Sequence, residues 1–222
     1  MADLCLVARG LCRMRATLLD DLGNVANVTN NSWTSGHLVS VGISPDIETG
    51  DEGTLKNGCG TTEASFADND EVKRYNVTIV DARDEPGLRA MMLGLDLIMD
   101  GSDVIGTSAV DQTDDDFEPA RVALEFWLKL YDSDSQDQTR PWQYINFPGT
   151  YSWVPQDIEI GADFSTPGFA GKSFKNELWG DGPYGDITWD PAGQLGPVFN
   201  QAQIAEDPPD GFCGFTHIAP GS

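Results

Sequence analysis

This chain reads as a mainly β protein: two β-sheets packed against each other, flanked by one short α-helix. Three observations carry that expectation. Apolar residues fall in short runs that alternate with polar ones, the period of a half-buried strand. Six Trp, ten Phe and five Tyr supply the bulk of a core, which an acidic disordered tail would lack. Only one segment, residues 84–94 (DEPGLRAMMLG), changes to a helical pattern. There acids precede Pro86, which suits a first helical turn, and Gly94 closes the run.

The strands follow in order. Residues 13–19 (RMRATLL) form the first, Asp20-Asp21-Leu22-Gly23-Asn24 turn the chain, and residues 25–29 return. Residues 37–43 (HLVSVGI) form another. Residues 44–60 are polar, Gly-rich and acidic with no apolar period, and read as a long loop or an extended hairpin arm. Residues 72–80 (VKRYNVTIV) lead into the helix, and residues 111–118 are an acidic surface loop. Residues 121–131 (RVALEFWLKLY) give the strongest strand. Val122, Leu124, Phe126, Leu128 and Leu130 share one face, and Ala123, Glu125, Trp127, Lys129 and Tyr131 share the other. Residues 144–147 make a short strand. Residues 156–164 set Ile158, Ile160, Ala162 and Phe164 against Asp157, Glu159 and Asp163, and residues 169–179 pair back across Thr166-Pro167-Gly168. From residue 176 onward there is no Lys or Arg, with short strands at 186–189 and 212–218. The organisation expected is one β domain over residues 1–193, with an N-terminal arm (1–12) and the long loop (44–60), then an irregular, acidic, Pro-rich segment over 194–222.

Charge is the second theme. The chain has 36 acidic and 13 basic residues, a formal charge of −23. That balance excludes ordinary nucleic-acid binding and docking on anionic membranes, both of which need Lys and Arg. No stretch approaches a membrane span, and the apolar run at residues 4–8 is too short for a signal peptide. Cys5, Cys12, Cys59 and Cys213 are scattered, with no CxxC pair, and read as reduced thiols rather than a disulfide framework.

Little in the chain suggests catalysis. His37 and His217 are the only histidines and read as surface or packed side chains; no nucleophile motif, phosphate loop or HExxH is present. The acids of residues 132–137 fail the EF-hand pattern, with Asp137 where Gly is needed and Gln143 where Glu is needed, so no metal site and no cofactor is expected. Asp157, Glu159 and Asp163 form a row on one strand face. They suit a solvent face, a glycosidase-like groove with Trp platforms, or a pore wall that repels phosphate and lets DNA slide past. Arg9, Arg13 and Arg15 crowd the start while the last residues are acidic, a polarity suited to head-to-tail contact between copies.

Taken in order, the segments RMRATLLDDLGN, HLVSVGISPDIETGDE, LKNGCG, VKRYNVTIVDARDEPGLRAMMLG and GKSFKNELWGDGPYGDITWDPAG give the chain a likeness. It resembles the major tail proteins, or tail tube subunits, of long-tailed phages infecting actinobacteria. The resemblance covers roughly residues 9–193; its most specific pieces are residues 81–94 and Trp179-Gly180-Asp181-Gly182-Pro183-Tyr184. It implies a non-enzymatic virion protein whose two-sheet subunits close into six-fold rings. Those rings stack into an acidic tube for genome ejection, in a virion tail assembled in the bacterial cytoplasm. The implied partners are further copies of itself, a tape-measure protein, a tail terminator and distal tail proteins, with double-stranded DNA passing without binding and no membrane. Lumen candidates are Glu125, Asp157, Glu159 and Asp163. Inter-ring or inter-subunit candidates are Arg9, Arg13, Arg15, Asp46, Glu48, Asp51 and Glu52. The loop at 44–60 corresponds to the family's reach toward a neighbouring ring, whereas residues 194–222 have no counterpart. Two rivals stand beside this. One is a carbohydrate-binding or glycoside-hydrolysing β-sandwich using Trp127, Trp142, Trp153, Trp179 or Trp189. The other is a capsid decoration subunit.

Overall fold

The computed structural model describes residues 7–101, 103–108, 120–131, 141–156, 166–179, 198–205, 207–210 and 213–218, the side chains of 7–9 and 131 excepted. The described chain is mainly β. Its strands are β1 (Val7–Leu19), β2 (Ser32–Ser35), β3 (Leu38–Glu48), β4 (Glu52–Lys56), β5 (Thr62–Ala67) and β6 (Glu71–Asp81), followed by the helix α1 (Pro86–Leu93). After it come β7 (Asp96–Asp100), β8 (Asp103–Ser108), β9 (Arg121–Tyr131), β10 (Trp142–Pro155), β11 (Gly168–Ser173), β12 (Asn200–Ile204) and β13 (Cys213–Thr216).

One antiparallel path, β13-β2-β1-β9-β10-β11-β6-β3, is folded into two layers. The fold line runs through β10. Residues 142–150 pair with β9 and residues 142–146 also with β12, whereas residues 150–155 pair with β11. Register breaks on both sides of this strand, and Ser152 adopts a left-handed φ of 53° within it, as a bulge that turns a corner requires. The core lies between the layers. Met14 and Ala16 of β1 and Val122, Leu124 and Phe126 of β9 meet Val77 and Ile79 of β6, Phe169 of β11, and Phe147 and Trp153 of β10. Leu88, Met91, Met92 and Leu93 of α1 close one side. Among the described residues the layers form a sandwich and no closed barrel.

The local signals act as expected at both ends of α1. Pro86 occupies its first turn, and Gly94 terminates it at φ 64°, where a side chain would be strained. The turn after β1 is held by Asp20, whose Oδ1 accepts the N–H groups of Leu22 and Asn24 at 2.9 and 2.8 Å. Residues 25–29 return only as a single bridge, Leu19 to Val25.

Several strands differ from expectation. Residues 7–12, part of the expected N-terminal arm (1–12), are the first half of β1 and pair with β9. Residues 168–173 pair with β10 and β6; the strand expected at 156–164 lies outside the described residues from 157 onward, as do 111–118 and 186–189. The strand expected within 212–218 is β13 (Cys213–Thr216), but residues 200–204 form β12, a strand not expected there, and both belong to the main sheet rather than to a separate segment. Asn31 fixes that C-terminal chain. Its Nδ2 donates to the Ile218 carbonyl at 2.7 Å and its Oδ1 accepts the Ile218 N–H at 2.8 Å.

Candidate assembly surfaces

The segment expected as a loop or hairpin arm is an arm. β3 and β6 pair from Leu38–Asp81 to Glu48–Glu71, and β4 and β5 pair from Glu52–Ala67 to Lys56–Thr62. Between the two ladders Gly50 N–H donates to Asp70 Oδ1 and Asp68 N–H to the Asp51 carbonyl, both at 3.0 Å. The chain from 38 to 81 is therefore one antiparallel ribbon. Asn57 organises the tip: its Oδ1 accepts the N–H groups of Cys59 and Thr61 at 3.0 Å, and its Nδ2 donates to Glu63 Oε1 at 2.7 Å. Beyond Arg74 the ribbon leaves the core, and at about 3.3 Å per residue it reaches roughly 40 Å.

No residue of β4 or β5 is buried. Ile47 and Val72 are direct cross-strand partners, yet they are 54% and 51% exposed. Leu55 and Phe66 are 65% and 60% exposed, and the Phe66 ring lies over Gly53, where a Cβ would stand 2.2 Å from it. A two-stranded ribbon is marginal alone, and a row of bare apolar side chains on it requires cover. Sequence reasoning missed these four side chains. The available signal was the symmetry of residues 52–56 and 62–67 about the Asn-Gly tip.

The charged candidates of the arm serve the arm itself. Asp46 Oδ2 accepts Arg74 Nε at 2.7 Å, and Arg74 Nη1 donates to the Tyr151 hydroxyl at 3.2 Å. Arg74 holds the Asp46 carboxyl below its usual range, chiefly through that hydrogen bond. Glu48 pairs with Lys73 at 2.9 Å. Asp51 and Glu52 are exposed on the ribbon.

Arg15 and Glu125, expected on different surfaces, are partners inside the subunit. Arg15 Nε and Nη2 grip the two Glu125 oxygens at 2.7 and 3.0 Å, and the Tyr144 hydroxyl donates to Glu125 Oε1 at 2.7 Å. Cross-strand register puts them together: Arg15 faces Glu125 across β1–β9. Trp127 lies under the guanidinium, 5.2 Å from its carbon. Glu125 is 1% exposed and Arg15 9%, so Glu125 cannot line a bore and Arg15 cannot reach a neighbouring ring. The face of β9 that alternation made polar is covered by a second layer of apolar groups, including Ile204 of β12 and Trp179. Arg13 is half-buried beside it, with Nη1 on the Cys12 carbonyl. Arg9 lies in β1, but its side chain is outside the described residues, as are Asp157, Glu159 and Asp163 entirely.

The aromatic platforms of the carbohydrate reading are mostly inside. Trp127, Trp153 and Trp179 are buried, and half-buried Trp142 donates to Asp207; Trp189 lies outside the described residues. Cys12, Cys59 and Cys213 are free thiols. Among the described residues no group of three His, Cys, Asp or Glu is placed to hold a metal ion, and no helix is long and apolar enough to cross a membrane. Comparison with protein-family models and with curated proteins found no match.

Proposed function

We propose that this chain is a tail tube subunit of a long-tailed phage: a non-enzymatic virion protein that stacks as six-fold rings into the channel for genome ejection. The observation that carries this reading is the arm. A ribbon that leaves the core with Ile47, Leu55, Phe66 and Val72 bare is costly for a monomer and useful to a polymer, where a neighbour covers it. The sheet path also ends in two strand edges, β3 and β13, that neighbours can extend. The strong negative charge suits a bore through which DNA slides without sticking. Its partners are then other copies of itself, with a tape-measure protein, a tail terminator and distal tail proteins at the ends. Its place is the virion tail, assembled in the host cytoplasm. For the bore, Asp157, Glu159 and Asp163 remain the candidates.

Negative-stain electron microscopy of the purified chain, across concentration and salt, tests this. Rings or tubes with a central hole are expected. Compact trimers, or monomers under every condition with no response to the arm, would sink the reading.

A further inference from the structure

Four elements meet at the Ser35 hydroxyl. Ser35 ends β2; Asp81 ends β6; Glu85 precedes α1; Cys213 of β13 is the register partner of Ser35. The two carboxyl groups are buried, Asp81 at 1% and Glu85 at 5% exposure. Ser35 Oγ lies 3.1 Å from Glu85 Oε1 and 3.5 Å from Asp81 Oδ2, and it accepts the His37 N–H at 3.2 Å.

The hydrogen inventory at that oxygen is decisive. A hydroxyl has one proton and two lone pairs. The His37 N–H uses one lone pair. The hydroxyl proton can serve only one carboxylate, so with both ionised the other faces the remaining lone pair at hydrogen-bond distance. If that second carboxyl is protonated, it donates to the lone pair and every group is satisfied. The remaining contacts do not remove the conflict. Glu85 Oε2 accepts Trp33 Nε1–H at 2.7 Å, and Asp81 Oδ1 accepts the Arg83 N–H at 3.3 Å. The other titratable or charged groups facing the pair are His37, Arg83 and Cys213.

We propose that Asp81, Ser35 and Glu85 form a one-proton latch that holds β13 and the start of α1 against β2 and loosens both when the proton leaves. Burial raises both carboxyl groups above their usual range, and for Glu85 the Asp81 charge adds to it. The Cys213 thiol is pushed up to about 11 by burial and by Glu85, so it stays a donor toward that carboxyl through the neutral range. Asn31 anchors the chain just past the far end of β13, at Ile218, leaving the Cys213 end to the latch. The latch is independent of whether the chain builds a tube.

Infrared titration of the intact chain tests it directly. As pH rises, one protonated-carboxyl stretch is expected to outlast those of the ordinary carboxyls, and it should vanish in both Asp81→Asn and Glu85→Gln. In each variant the amide N–H replaces the proton at the Ser35 lone pair. Amide exchange across β13, corrected for intrinsic rates, should accelerate by up to about tenfold per pH unit between the ordinary carboxyl range and the midpoint of that band, the slope of one proton, and level off above it. In the two variants it should stay flat. Absence of any band that outlasts the ordinary carboxyls, β13 protection indifferent to pH, or an unchanged pH response in the variants overturns the latch. Should a variant not fold, the band in the unaltered chain and its titration decide alone.

Discussion

Removing the Glu125 carboxylate takes from Arg15 two charge-assisted bonds inside a nearly buried site. Arg15 is held by those two bonds and stacked on Trp127, with only a small part of its surface open to water. Glu125→Leu is therefore expected to cost about 3–5 kcal/mol in urea unfolding, while adding Arg15→Met recovers most of it. Additive losses in that double-mutant cycle would show that the pair is not coupled. Asn31→Ala deletes both bonds to Ile218, with an expected loss of about 1–3 kcal/mol and faster amide exchange at the end of β13. Alternation in residues 121–131 correctly separated Val122, Leu124 and Phe126 from Glu125. It could not reveal that the Glu125 face is covered too. Cover comes from β12 and Trp179, distant in sequence, and no local period records them.

The arm and the helix show opposite degrees of legibility. α1 was readable because its limits are local: Pro86 fixes the entry and Gly94 the exit. Gly87 in its first turn was not. A Cβ there would stand 2.1 Å from the Trp33 ring, so Gly87→Ala is expected to cost about 1–3 kcal/mol by thermal unfolding. The outgoing half of the arm was suspected from its polarity. The returning half, residues 62–67, carries mainly Thr, Ser, Ala and Glu and gave no strand signal. Because Leu55 and Phe66 touch little within the subunit, their joint change to Ser should leave unfolding within about 0.5 kcal/mol while abolishing higher-order assembly in sedimentation. Cys59, exposed near the tip, offers an independent check. A maleimide should modify it readily in the dispersed chain and slowly once copies associate. Equal rates in both states would remove the arm from the contact.

For the molecule as a whole, two opposing sets of carboxyls set the pH response. Asp81 and Glu85 are raised by burial, so their contribution is complete below the ordinary values of 3.8 and 4.5 and is lost as pH climbs through the raised ones. Asp46 is lowered by Arg74, so its contribution exists above 3.8 and is lost in acid. Melting temperature should therefore peak in mild acid and fall as pH climbs through the raised carboxyl values, and Glu85→Gln should flatten that fall. The proposed six-copy ring would carry about 140 formal negative charges, so on that reading association should strengthen as salt shortens the Debye length from ~10 Å at 0.1 M. The two-layer β architecture was legible from period and aromatic content. The membership of β12 and β13 was not, because both join partners far back along the chain.

That last pairing has a consequence during synthesis. Thr34 of β2 waits for Gly214 of β13, its register partner. At about 5–20 residues per second the ribosome needs roughly 10–40 s to deliver it. Throughout that interval one flank of every nascent subunit is an unpaired strand, on a messenger crowded with identical nascent subunits. The strand left waiting is Ser-Trp-Thr-Ser, four residues long and mostly polar, a poor template for sticking to its siblings. The order of translation and the choice of residues thus keep an unfinished chain from joining its neighbours.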